Sequence, residues 1–212
     1  LSMGIKFLQS KYGRIIRDIY GLLLYPIWLI SAGMNSPDNH IYKKRRIASV
    51  AKEFDCSSFI ETGTYYGQMV NFAKKKFLKV KSVEIHPPFF LLNKKQFERD
   101  SNVEIYSGKS QDVLSEMINS SEGRILFWLD GHYSGVGTGG GDDVCPITKE
   151  LRLIAQSNRK DHCILIDDAR CFIDRDGYPT LDETLALLRE INSSYRLMVD
   201  RDCIMATFSS AA

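Results

Sequence analysis

Short apolar runs alternate along this chain with longer segments in which apolar residues recur every three or four positions. Short runs rich in β-branched and aromatic residues predict strands, and the longer periodic segments predict amphipathic helices. The predicted strands cover residues 58–61, 80–85, 103–106, 124–130, 162–167, 195–199 and 203–208. The predicted helices cover residues 48–54, 68–76, 89–97, 146–156 and 181–191, with a further helix capped by Ser110.

The order of these elements indicates the fold class. Residues 124–130 form a near-continuous apolar run, which is typical of a central strand covered on both faces. Thr180 and Glu183 have the spacing of a capping box, and Asp200-Arg201-Asp202 separates two strands that read as a hairpin. Strands that alternate with helices predict an α/β fold: a Rossmann-like, seven-stranded, mostly parallel sheet with a C-terminal antiparallel hairpin.

The first 45 residues differ from the rest, and we predict an N-terminal helical extension (1–45) before one domain (46–212). Residues 5–33 are apolar with scattered basic side chains, and Pro26 interrupts an apolar run too short to span a bilayer. Two interpretations stay open. The segment packs on the domain or on a second subunit of a homo-oligomer, or it forms a peripheral contact with a membrane surface, with Trp28 at the interface.

Composition narrows the class of protein. The net charge of +2 over 212 residues gives no support for a nucleic-acid partner. The basic clusters 43–46 and 74–76 are predicted to be solvated helix faces. The five cysteines contain no Cys-x-x-Cys pair, which predicts reduced thiols and a cytoplasmic protein, with or without membrane association.

The candidate chemistry starts at the turn after the first predicted strand, residues 61–67, Glu-Thr-Gly-Thr-Tyr-Tyr-Gly. Glycine at position 63 lets a ligand approach the backbone closely, and Gly67 lets the following helix pack tightly. Taken alone, an acid followed by two spaced glycines is a weak signal for a nucleotide-like ligand.

Acidic residues at other predicted strand ends strengthen that signal. Glu61, Glu84 and Asp130 end the first, second and fourth strands, and Asp167-Asp168 end the fifth. Ligands of open parallel sheets bind at the carboxyl ends of the strands, and an acid about 20 residues beyond a glycine turn accepts hydrogen bonds from ribose hydroxyls. Carboxylates that converge there repel one another unless a cation or ligand hydroxyls lie between them.

These motifs, together with Gly108-Lys109-Ser110, resemble the pattern of class I S-adenosylmethionine-dependent methyltransferases over residues 46–212. The resemblance implies S-adenosylmethionine as cofactor. It places Glu61 and Gly63 by the methionine part, Glu84 on the ribose and Ser110 near the adenine. The full set of cofactor-binding candidates is Glu61, Thr62, Gly63, Tyr65, Gly67, Glu84, Ser110, Gln111 and Asp130.

A narrower similarity links Asp130 and Asp167-Asp168 to metal-dependent sugar O-methyltransferases of the macrocin type. In that family an acid after strand four and an Asp-Asp pair after strand five bind magnesium, so Asp130, Asp167 and Asp168 are the implied ligands of Mg²⁺ or Mn²⁺. Asp130 and His132 are the implied catalytic residues. His132 occupies the position of the base, where the family has an acid, and histidine is a competent base near neutral pH.

The sequence therefore predicts a metal-dependent O-methyltransferase acting on a sugar hydroxyl in glycan or polysaccharide biosynthesis. A metal-independent methyltransferase of the same fold, with another small acceptor, is the first alternative. A nicotinamide-dependent oxidoreductase is disfavoured because the turn after the first predicted strand has no Gly-x-Gly-x-x-Gly and the chain has no Tyr-x-x-x-Lys pair. A non-catalytic scaffold that retains the pocket is the remaining alternative.

Overall fold

The computed structural model describes residues 37–130, 145–175 and 177–208. Its strands are β1 (Cys56–Thr62), β2 (Lys79–Glu84), β3 (Val103–Ser107), β4 (Arg124–Leu129), β5 (Cys163–Asp167), β6 (Arg196–Asp200) and β7 (Cys203–Thr207). Its α-helices are α1 (His40–Glu53), α2 (Gln68–Ala73), α3 (Pro87–Gln96), α4 (Ser110–Asn119), α5 (Ile147–Ala155) and α6 (Leu181–Ile191). A short 3-10 helix, Ala169–Cys171, follows β5.

The strands form one seven-stranded sheet in the order β3-β2-β1-β4-β5-β7-β6. The first five strands of the chain pair in parallel, and β7 runs antiparallel to both β5 and β6. The predicted Rossmann-like sheet with its C-terminal antiparallel hairpin is therefore confirmed. The chain reverses its direction across the sheet between β1 and β4, and ligands of such sheets bind at this switch point.

The core lies on both faces of the central strands. In β4 the side chains of Ile125, Phe127 and Leu129 join one buried cluster, and those of Leu126 and Trp128 join the other. This alternation follows from the two-residue period of a strand, and burial on both faces explains why the run is apolar throughout.

The registers bring the strand ends to one edge. Thr62 of β1 lies beside both Val83 of β2 and Leu129 of β4, and Leu129 lies beside Ile166 of β5. The acids that end β1, β2 and β5, and the one that follows β4, are consequently neighbours at the carboxyl edge of the sheet.

Helix α1 begins at His40, earlier than the predicted start at residue 48, because the side chain of Asn39 caps it by accepting a hydrogen bond from the Ile41 N–H (2.8 Å). The helix therefore runs across the boundary that we placed between residues 45 and 46. At α4 the N-cap is Lys109, and Ser110 is the first helical residue instead of the predicted cap. The capping box of Thr180 and Glu183 at α6 is confirmed.

The segment 5–33, predicted to pack on the protein or to contact a membrane surface, lies outside the described residues. Among the helices of residues 37–130, 145–175 and 177–208, none combines the length and the apolar character that crossing a bilayer requires. All five cysteines are free thiols, and Cys56, Cys163 and Cys203 are buried.

Gly67 occupies a site that only glycine suits. Its φ is +69°, and a Cβ there would lie 2.3 Å from Asn93 Oδ1 and 2.7 Å from a ring carbon of Phe97. The turn before α2 is thus pressed against α3, as the predicted role of this glycine in close packing requires.

We expect Gly67→Ala to lower the free energy of unfolding by about 1–3 kcal/mol more than Gly108→Ala, because Gly67 combines a positive φ with a clash. Gly108 also has a positive φ (+128°), but a Cβ there would meet nothing within 4 Å. Chemical denaturation of both variants measures the difference. Equal losses of stability would show that the turn relaxes away from Asn93 and Phe97.

Candidate active site

Glu61 lies deeply buried at the end of β1. Its Oε2 accepts a hydrogen bond from Ser82 Oγ at 2.6 Å, and the Ser82 hydroxyl also pairs with Thr64 Oγ1 at 2.7 Å. Burial raises the pKa of Glu61 to about 8, Ser82 lowers it, and the nearby charge of Glu84 raises it further. The described part of the chain provides no ion pair to Glu61, so no basic side chain there stabilises its charged form.

Glu84 ends β2 and is anchored to the backbone around the glycine turn. Its Oε2 accepts a hydrogen bond from the Tyr65 N–H (2.7 Å), and its Oε1 accepts one from the His86 N–H (2.8 Å). Burial raises the pKa of Glu84, whereas these two backbone donors lower it. The carboxylate is therefore held in one orientation, and its remaining lone pairs can accept hydrogen bonds from a ligand.

The glycine turn is folded back onto β2. The N–H groups of Gly63 and Thr64 both donate to the Val83 carbonyl, at 3.0 and 3.1 Å. Tyr65 has a positive φ of 48°, and about half of its side chain is exposed beside the rings of Tyr66 and Phe89. The turn thus presents an aromatic surface next to the Glu84 carboxylate.

The residues predicted to lie near the adenine, Ser110 and Gln111, are at the start of α4. Ser110 is buried beside Glu150 of α5, which also faces Thr62 of β1. Burial raises the pKa of Glu150 to about 7, and the Ser110 and Thr62 hydroxyls lower it. Gln111, on the same turn as Ser110, is only partly buried.

A second group of acidic residues lies directly after β4, at and after the end of β5, and directly before β7. Carboxylate oxygens of Asp167, Asp168 and Asp202 lie within 4.8 Å of one another, which makes this a group that could hold a metal ion. The Asp130 carboxyl lies near Asp167 and Asp168, and their charges raise its pKa. Arg170 forms ion pairs with Asp168 (2.9 Å) and with Asp202.

The chain partly neutralises this group from α1. Lys43 Nζ forms an ion pair with Asp167 Oδ2, and Arg46 forms ion pairs with Asp38 and Asp200. The prediction that residues 43–46 are a solvated helix face is therefore wrong for Lys43 and Arg46. A run of consecutive basic residues does not show which of them share a helix face. Lys43 and Arg46 are three residues apart and therefore lie on the same face of α1, which contacts the acidic edge of the sheet.

The charges of the group remain unbalanced. The pKa of Asp130 is raised well above its usual range by burial and by Asp167, although Lys43 lowers it. The pKa of Asp167 is raised to about 6 by burial and by Asp168, again against the effect of Lys43. Asp167 Oδ1 is buried without a hydrogen-bond partner in the described structure. A further cation at this position would relieve both carboxylates.

The structure thus brings the predicted residues Glu61, Glu84, Asp130, Asp167 and Asp168 to one edge, and His132 lies outside the described residues. Sequence reasoning missed Lys43, Asp202, Glu150 and Ser82. Asp202 belongs to the predicted hairpin turn Asp200-Arg201-Asp202, and a turn residue of this kind gives no signal of a site. A polar residue in an apolar strand was the available signal for Ser82, and a charged residue at a helix position that faces the core was the signal for Glu150.

Comparisons with solved structures identify the fold. The chain superimposes on a methyltransferase of Podospora anserina bound to SAH, with a TM-score of 0.52 and 12% identity, covering 92% of this chain and 87% of that one. It also superimposes on an O-methyltransferase of Bacillus cereus in complex with SAH, with a TM-score of 0.52 and 15% identity, covering 91% and 90%. The sequence matches no family model and no curated protein. The chain has the Rossmann-like methyltransferase fold of these structures.

We expect Glu61→Gln to change how stability depends on pH. The pKa of Glu61 in the folded protein is raised to about 8, so the folded state keeps a proton that the unfolded state has lost, and wild-type stability falls as pH rises through this interval. The free energy of unfolding of Glu61→Gln, relative to wild type, should increase by roughly 2–4 kcal/mol from about pH 5 to about pH 8.

Denaturant titrations at several pH values measure this difference. Glu122→Gln, which changes an exposed carboxylate, is the matched control and should follow the wild-type curve. A Glu61→Gln curve parallel to that of wild type would contradict the raised pKa.

Proposed function

We propose that the protein is an S-adenosylmethionine-dependent O-methyltransferase whose acceptor is a sugar hydroxyl and whose acidic edge holds a divalent cation. The observation that carries the methyltransferase assignment is the placement of Glu84. It ends β2 beside the glycine turn, with its carboxylate oriented by the Tyr65 and His86 N–H groups. A carboxylate at this position of a Rossmann-like sheet suits the two hydroxyls of a ribose.

Glu61 supports the same cofactor on independent grounds. A buried carboxylate that lacks an ion pair is costly, and a cationic ligand group would remove that cost. The α-amino group of S-adenosylmethionine has the required charge. The Gly63 turn gives such a ligand close access to the backbone next to Glu61.

The residues at the ends of β4 and β5 fit a divalent cation. Carboxylate oxygens are the ligands that Mg²⁺ and Mn²⁺ prefer, and the buried Asp167 Oδ1 has no other partner among the described residues. Asp130, Asp167 and Asp168 would hold the ion, with Asp202 close to the last two. When bound, the ion would orient adjacent sugar hydroxyls and lower the pKa of the one that reacts.

The protein's own contribution to methyl transfer is positioning and proton removal. The acceptor oxygen has to lie in line with the methyl carbon and the sulfur, and orientation of this kind accounts for much of the rate of such reactions. In this proposal His132 accepts the hydroxyl proton, and the clustered acids hold the sugar through its neighbouring hydroxyls.

A metal-independent O-methyltransferase is the second candidate, and one observation favours it. The Lys43 ammonium already lies among the site carboxylates, bonded to Asp167 and close enough to Asp130 to lower its pKa. A cation belonging to the chain could orient a small acceptor without a metal ion.

Cofactor binding tests the assignment directly. We expect S-adenosylhomocysteine to bind the wild-type protein in isothermal titration calorimetry, and NAD to give no heat. Glu84→Gln should weaken the binding of S-adenosylhomocysteine by about tenfold or more, because the ribose hydroxyls lose a charged hydrogen-bond acceptor. Glu98→Gln alters an exposed acid and should bind like wild type. Tight NAD binding would overturn the proposal in favour of an oxidoreductase.

The metal and the acceptor need an activity measurement. We expect transfer of a labelled methyl group to a panel of sugars and sugar nucleotides to require Mg²⁺ or Mn²⁺ and to stop in EDTA. Asp130→Asn should reduce the rate by about 100-fold or more while the variant stays folded by circular dichroism. Full activity in EDTA would leave only the metal-independent candidate, and full activity of Asp130→Asn would refute the assigned role of that residue.

A further inference from the structure

The contact between Lys43 and Asp167 joins two distant parts of the chain inside the candidate active site. Lys43 belongs to α1, before the first strand, and Asp167 ends β5. The lysine side chain is 15% exposed and the aspartate side chain 1% exposed, so the ion pair is largely shielded from water. Lys43 Nζ also lies 5.8 Å from the centre of the buried Trp128 ring.

Neighbouring side chains of α1 hold Lys43 in this place. The Tyr42 hydroxyl donates to the Asp200 carboxylate at 3.1 Å, and Arg46 Nε donates to the same carboxylate at 2.9 Å. Arg46 Nη2 donates to the Asp200 carbonyl at 2.8 Å, and Arg46 also pairs with Asp38. Helix α1 is therefore fastened independently of Lys43, and the lysine side chain can move while the helix stays docked.

The charges leave room for one more cation. Arg170 pairs with Asp168 and Asp202, and Lys43 pairs with a single oxygen of Asp167. Asp167 Oδ1 is buried and makes no hydrogen bond inside the described residues. An ion that used this oxygen would meet the Lys43 ammonium on the other oxygen of the same carboxylate, and two cations so close repel each other strongly.

We propose that Lys43 is an internal counter-ion that exchanges with a divalent cation at Asp167. The inference rests on the metal site of the proposed function. Without metal the ammonium neutralises the buried aspartate, and on metal binding it leaves that oxygen. The flexible four-carbon stem of lysine permits this movement, whereas a rigid guanidinium would resist it. The lysine thereby weakens the affinity of the site for metal.

Direct metal binding tests this exchange without any need for activity. Mn²⁺ alone is titrated into metal-free wild type, Lys43→Met, Lys43→Gln and Lys52→Met, and bound Mn²⁺ is followed by electron paramagnetic resonance. Lys43→Met and Lys43→Gln should each bind Mn²⁺ at least about tenfold more tightly than wild type, since a competing positive charge is gone. Lys52→Met makes the same change of net charge at an exposed position of α1 and should match wild type.

Thermal unfolding gives a second measurement. Lys43→Met leaves Asp167 buried and unpaired, so its melting temperature without metal should fall below that of wild type. Saturating Mg²⁺ should raise the melting temperature of Lys43→Met more than that of wild type. Lys43→Gln retains a hydrogen-bond donor for Asp167, so it tests the metal affinity even if Lys43→Met fails to fold.

The outcomes separate this inference from the proposed function. Equal or weaker Mn²⁺ affinity in both Lys43 variants would overturn the exchange while leaving the metal site intact. No Mn²⁺ binding by any variant would overturn both the exchange and the metal site. Binding of S-adenosylhomocysteine is independent of this titration and would still support methyl transfer.

Discussion

Uncompensated negative charge at the carboxyl edge of the sheet is the constraint on which the rest of this structure depends. Parallel strands that end together bring Glu61, Glu84 and Asp167 to one rim, with Asp130 directly after β4. Burial makes each charge expensive, and the neighbouring acids add to the cost. The fold can accommodate these acids only if hydrogen-bond donors, basic side chains or ligands stabilise their negative charge.

The two halves of this edge of the sheet reduce the free-energy cost of the buried acids in different ways. On the β1–β2 side Glu84 is held by backbone N–H groups and Glu61 by the Ser82 hydroxyl, and neither has an ion pair in the described structure. On the β4–β5 side the chain supplies Lys43 and Arg170. The first arrangement suits a ligand that brings hydroxyls and one positive charge. The second suits a site in which a lysine and a metal ion alternate as the partner of the same carboxylate.

Helix α1 is consequently part of the site and does more than cover the sheet. Its ion pairs with Asp167 and Asp200 reach the ends of β5 and β6, which follow it by more than a hundred residues. Partly buried ion pairs of this kind add little net stability, because desolvation offsets most of the attraction between the charges. Their main effect is to place positive charge where the acids converge.

The sequence by itself determined the sheet, its antiparallel last strand and the glycine turn, because the strand period, the apolar run 124–130 and the Gly63–Gly67 spacing are local signals. It also predicted that five acids lie close together, because each ends a predicted strand and the carboxyl ends of parallel strands meet at one edge of the sheet. Only the tertiary structure decided which cations face those acids. In the sequence, Lys43 and Arg46 are part of an ordinary basic run, and Asp202 is part of a predicted hairpin turn. Their partners are set by the packing of α1 and β7 on the sheet, and no local pattern encodes contacts between residues so far apart in the chain.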